Sequence, residues 1–162
     1  MSYQEKKTFT SIATGVLVVA AYCIYALGKI QSQSADLNDL KFWSITMLIF
    51  IGIGVAASIV IQIIFHILLS ISFAVKEGTD KGVEKKMKGE MVEDEMDKLI
   101  ELKSMFLGFC ICGAGFIAAL VSLALDCPAG IMLNILFLSF FLGSLSEGVM
   151  RLHYYRAGVK NA

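Results

Sequence analysis

The sequence predicts an all-α polytopic membrane protein: four transmembrane helices paired as two hairpins, with the central helices extended into the cytoplasm. Three observations carry this expectation. Of the 162 residues, 57% are hydrophobic and 17% charged, with a mean hydropathy of +0.73, more apolar than a soluble domain. Four apolar runs each approach or exceed the roughly 20 residues that cross a hydrocarbon core of about 30 Å. The one long polar stretch, Lys76 to Ser104, lies between two pairs of such runs. The chain is the length of a single domain. Its spans are expected at about 9–28, 42–65 with an extension to 75, 105–125 and 129–150, around a cytoplasmic connector at 76–104.

The first run follows Lys6 and Lys7. A secretory signal begins in this way, but the run is too long and lacks a small-residue cleavage pattern, so a retained helix is expected. Residues 12–27 carry no charge on any face, whereas a soluble bundle helix shows a polar side. A short polar loop, 29–41, leads to Phe42 and Trp43, read as interfacial anchors. The second run continues to Val75. At 1.5 Å per residue its 34 residues span about 51 Å, too long for the bilayer alone. Residues 66–75 are therefore expected to project beyond it and need a cover. Apolar positions Met96, Leu99, Ile100 and Met105 or Phe106 recur at helical spacing, which predicts a helix from about 92 into the third span as that cover. Gly78, Gly82 and Gly89 mark a turn between the two.

The third span is rich in small residues, among them Gly108, Cys112, Gly113, Gly115, Ala118 and Ala119. The second carries Gly52/Ala56 and Gly54/Ser58. Small residues four apart allow close helix approach in lipid. Asp126-Cys127-Pro128-Ala129-Gly130 is a tight turn joining the third and fourth spans. Four cysteines without a C-x-x-C spacing read as buried small side chains; a Cys23–Cys127 bridge is left open.

Lysine and arginine distribution sets the expected orientation. Twelve of the fourteen lie at the N-terminus, in the connector or at the C-terminus; Lys29 and Lys41 are on the other side. Both termini are thus expected in the cytoplasm, with the plasma membrane as the location. An 85-residue shift places Gln62 over Glu147 and His66 over Arg151, a weak parallel repeat.

Two constellations could carry chemistry. The first is a polar cluster inside the membrane: Gln62, His66, Glu147 and Arg151. Ionisable residues in a span are costly and often functional. Glu147 and Arg151 are four apart and pair on one helix face, so a structural clasp is the first reading, a ligand or ion site the second and a proton relay the third. The second is an acidic face on the connector helix, with Glu93, Asp94, Asp97 and Glu101 as partner-binding candidates; a solvated face or a surface for a basic partner fits better than a cation site, because lysines interleave. No catalytic residue, metal site or cofactor is expected. H-E-x-x-H, G-x-S-x-G, the P-loop and the dinucleotide fingerprint are all missing, so the chain reads as no enzyme. Zero net charge speaks against direct nucleic-acid binding.

The run Asp94-Glu95-Met96-Asp97-Lys98-Leu99-Ile100-Glu101-Leu102-Lys103 resembles the D-E-x-D-x-L-I-E-x-K/R loop of small four-helix membrane proteins of unknown function in bacteria and archaea. Tyr154-Tyr155-Arg156-Ala157-Gly158 is similar to the Y-Y-R-x-G close of that group. The resemblance implies a prokaryotic membrane protein. Members of the group are often encoded beside a small helix-turn-helix repressor, which implies a cytoplasmic face that meets a regulator. The expected function is then a non-enzymatic regulatory or interaction role through the cytoplasmic helical hairpin. Its partners would be the lipid bilayer and a cytoplasmic regulatory protein. The alternative is a small transporter or channel, working as a homo-oligomer, that uses the inner-leaflet polar cluster.

Overall fold

A computed structural model describes residues 3–32, 36–77 and 95–157. They form four helices: α1 (Tyr3–Gln31), α2 (Leu40–Glu77), α3 (Glu95–Ala124) and α4 (Ala129–Ala157). Each is long and apolar enough to cross a membrane. The protein is therefore an all-α, multi-pass membrane protein. The expected turn of the connector, residues 78–94 with Glu93 and Asp94, lies outside the described residues.

Helices adjacent in sequence run antiparallel, and so do α1 and α4, while α2 and α4 run parallel. Residue pairs 12 with 148, 15 with 145 and 22 with 134 set α1 against α4. Pairs 101 with 151 and 108 with 143 set α3 against α4. One end of the molecule, the connector end, thus carries Tyr3, Glu77, Glu95 and Ala157; the hairpin end carries the 36–39 loop and the 125–128 turn. Helix α4 is central: it packs most closely on α3, then on α1, and also touches α2.

The α3–α4 pair rests on a near-absence of side chain at its crossing. A Cβ at Gly108 would sit 2.9 Å from the Gly143 carbonyl oxygen, and one at Gly143 would sit 2.8 Å from that of Gly108. Cys112, Gly115 and Ala119 continue this face, and a Cβ on Gly115 would overlap the Ser139 side chain. Gly113 points to open space instead, so only part of the small-residue set serves the crossing.

Turn chemistry closes the hairpin end. Asp126 takes φ 57°; the Cys127 N–H then donates to the Ser122 carbonyl and the Asp126 N–H to that of Leu123, both at 3.1 Å. This is a Schellman ending with Asp at the left-handed position. Asp39 caps α2, its carboxylate accepting from the Phe42 N–H at 3.0 Å. The two hairpins are joined by the Gly130 N–H, which donates to the Leu37 carbonyl at 2.9 Å.

Trp43 corrects the sequence expectation. It is not a lipid-facing anchor but fully buried, its indole N–H donating to the Asp36 carbonyl at 3.1 Å. The 36–39 loop folds over it, so a position that reads as interfacial becomes core. Around it gather Tyr22, Ala26, Met47 and Phe137. Tyr22 and Phe137 have ring centroids 4.4 Å apart, and the Tyr22 hydroxyl donates to Asn134 at 2.6 Å.

A second correction concerns the projecting part of α2. At 1.5 Å per residue α2 is about 57 Å long, and it continues unbroken to Glu77. The start of α3, however, packs on α4 rather than on α2. Ile100 and Ser104 are buried there. The expected cover for residues 66–75 is thus committed elsewhere, because Ile100, Ser104 and Gly108 share one face that α4 fills.

Candidate connector-end cavity and ion-pair cluster

Towards the connector end the three helices α1, α2 and α4 surround an open cavity of about 530 Å³. Each helix contributes a face at spacings of three and four. From α2 come Ile51, Gly54, Val55, Ser58, Ile59 and Gln62; from α4 come Phe141, Ser144, Leu145, Glu147, Gly148 and Arg151. From α1, Gln4, Lys7, Thr8 and Ser11 supply polar groups, and Ile12, Gly15 and Val18 lie deeper. Val18 closes on Gly54 beneath the aromatic cluster, at 3.6 Å from where a Cβ would stand.

The structure brings together three of the four residues named for the membrane cluster. Gln62, Glu147 and Arg151 line this cavity. His66 lines a smaller space beside it, shared with Lys7, Ser58 and Gln62. Sequence reasoning did not name the α1 wall. Its signal was present, since Thr8, Ser11 and Lys7 recur at helical spacing beside the first span.

Arg151 is the hub. Its Nη2 donates to Glu147 at 2.9 Å and to Glu101, on α3, at 3.1 Å. One turn away the Tyr155 hydroxyl donates to the Asp97 carboxylate. Of the acidic face predicted to bind a partner, Asp97 and Glu101 therefore turn onto α4 rather than standing free. The sequence could not reveal this, because the partners lie 50 or more residues away.

A buried hydroxyl next to the cluster is unsatisfied. Ser104 is fully buried and its Oγ has no partner. A buried donor without a partner costs about 1–3 kcal/mol. Ser104→Ala is therefore expected to keep or raise thermal stability; a clear fall in melting temperature would show a partner at Oγ.

All four cysteines are free, so Cys23 and Cys127 do not pair. Among the described residues no three His, Cys, Asp or Glu side chains gather as a metal-ligand set. In comparison with known proteins, no family model, curated protein or solved structure matches this chain.

Proposed function

We propose that this is a non-enzymatic membrane regulator that binds a small molecule in the cavity and passes its presence to the connector. The connector end would face the cytoplasm of a plasma membrane, as the lysine and arginine bias implies. One observation carries the reading: Arg151 lines the cavity and at the same time holds Glu101, near the start of α3 and just after the connector. A ligand that shifts Arg151 shifts the anchor of that helix. Such a link is a two-state element biased from one site and read at another. A cytoplasmic regulatory protein would then meet the connector itself, since Asp97 and Glu101 are occupied by α4.

Energetics set the transporter reading second. A carrier must open the hairpin end to water, which exposes Tyr22, Trp43 and Phe137. Each costs about 1.5–3 kcal/mol, so the open state is populated well below one per cent without a large compensating gain. The Leu37–Gly130 bond adds to that cost.

Filling the cavity from α2 tests the link. Ser58 lies on a helix that, among the described residues, shares no extensive contact with α3, yet Ser58→Phe is expected to change hydrogen-exchange protection of residues 95–104 by about tenfold. Unchanged protection would overturn the coupling. In a cysteine-free background, Ser144→Cys should react with an impermeant thiol reagent from the connector side alone; labelling from both sides would favour the carrier.

A further inference from the structure

We propose that the cavity takes an amphiphile with an acidic head, and that Lys7 receives the acid. The inference rests on the cavity being a binding site and names the chemistry of what it binds. Two features point to it: a gradient of polarity along the cavity, and one lining charge without a partner.

The gradient runs along α1. Near the connector end Gln4, Lys7 and Thr8 face Gln62 and Arg151. Eleven residues beyond Lys7, about 16 Å along the helix, Val18 faces Ile51 and Phe141. Thr14, Ser58 and Ser144 add hydroxyls at the middle level; the deepest wall, at Val18, Ile51 and Phe141, offers no polar side chain, and burying a polar group there is costly. The shallow wall offers charges, hydroxyls and amides. A ligand that fills both parts is apolar at one end and polar at the other. The volume of about 530 Å³ suits a small ligand, for which sites run roughly 300–1,000 Å³.

The sign of the head follows from the partners of each charge. Among the described residues Glu147 is the one carboxylate in the lining, and Arg151 holds it at 2.9 Å. Arg151 is shared with Glu101, so this trio carries one surplus negative charge on the α3–α4 wall. That surplus disfavours an acid at Arg151, whose Nε is nonetheless a buried donor without a hydrogen-bond partner. Lys7, across the cavity on α1, has no acidic partner among the described residues. His66 faces Lys7 across the adjoining space. An acidic head seated at Lys7, with the Ser11 hydroxyl beside it, gives that ammonium the direct partner that the trio across the cavity does not. A cationic head would face Lys7 and compete with Arg151 for its carboxylates.

The acid, a carboxylate or phosphate, could arrive on an acyl chain or as a free anion, and the chain separates the two sources. The full-length protein in nanodiscs of neutral phosphatidylcholine would be titrated with dodecyl phosphate, dodecanol and inorganic phosphate, with bound ligand counted by native mass spectrometry. Saturable binding of one dodecyl phosphate per chain is expected. Lys7→Gln should weaken it about tenfold or more, and Ser58→Phe should abolish it. Dodecanol should bind more weakly and ignore Lys7→Gln. Equal binding of dodecanol, or no effect of Lys7→Gln, would overturn the acidic head. Binding of inorganic phosphate as tight as that of dodecyl phosphate would overturn the amphiphile. If no probe binds while Ser58→Phe still alters protection at 95–104, this inference falls and the cavity-to-connector link stands.

Discussion

Gly143→Leu is expected to drive α3 off α4 and to lower stability by at least about 3 kcal/mol. At this position a Cβ would stand 2.6 Å from Cys112 Sγ and 2.8 Å from the Gly108 carbonyl oxygen. The second of these is backbone, so no side-chain rotation relieves it; the helices must move apart. Adding even a few methylenes to a packed site costs about 1–3 kcal/mol, and leucine adds four carbons to a helix contact. Small residues let transmembrane helices gain dispersion contacts that lipid cannot replace. The effect should travel, because Arg151 reaches Glu101 across the same pair of helices. Gly113→Leu is the control: it lies on α3 but faces open space, and its cost should be small. Thermal unfolding in mild detergent checks both. Gly143→Leu melting like the parent protein would refute the close approach.

Trp43→Ala is expected to cost about 3–5 kcal/mol, the range for removing a large aromatic from a core. Trp43 is fully buried beneath the 36–39 loop, and its ring edge lies 3.0 Å from where a Cβ on Gly130 would stand. Its removal leaves a void where both hairpins meet. Trp43→Phe separates the parts: it keeps most of the packing and loses the hydrogen bond to Asp36, for a smaller cost of about 1 kcal/mol. Tryptophan fluorescence is a direct monitor, since Trp43 is the one tryptophan in the chain. A loss below about 1 kcal/mol for Trp43→Ala would return Trp43 to the role of a lipid-facing anchor.

The candidate site was legible in part. Gln62, Glu147 and Arg151 stand out from sequence because polar groups inside apolar runs are costly, and they line one cavity. The contribution of α1 was not read, since Lys7, Thr8 and Ser11 sit at the polar start of a span, where such residues attract no notice. The acidic face shows what spacing leaves out. Asp97 and Glu101 look like a displayed surface at helical spacing, yet Tyr155 and Arg151 engage them. Local periodicity reports that residues share a face; it does not report what that face meets.

Sequence alone determined the number of helices, their length and the two-hairpin order, because each span must satisfy its own backbone hydrogen bonds and shield itself with apolar side chains. These are local demands, met residue by residue. The tertiary structure decided what is long-range: that α4 rather than α2 receives the start of α3, that Trp43 is core, and that the hairpin end is closed while the connector end opens on a polar cavity. Those outcomes depend on which small residues let two backbones meet, as Gly108 and Gly143 do, and on single pairings such as Arg151 with Glu101. Neither leaves a periodic trace in the chain.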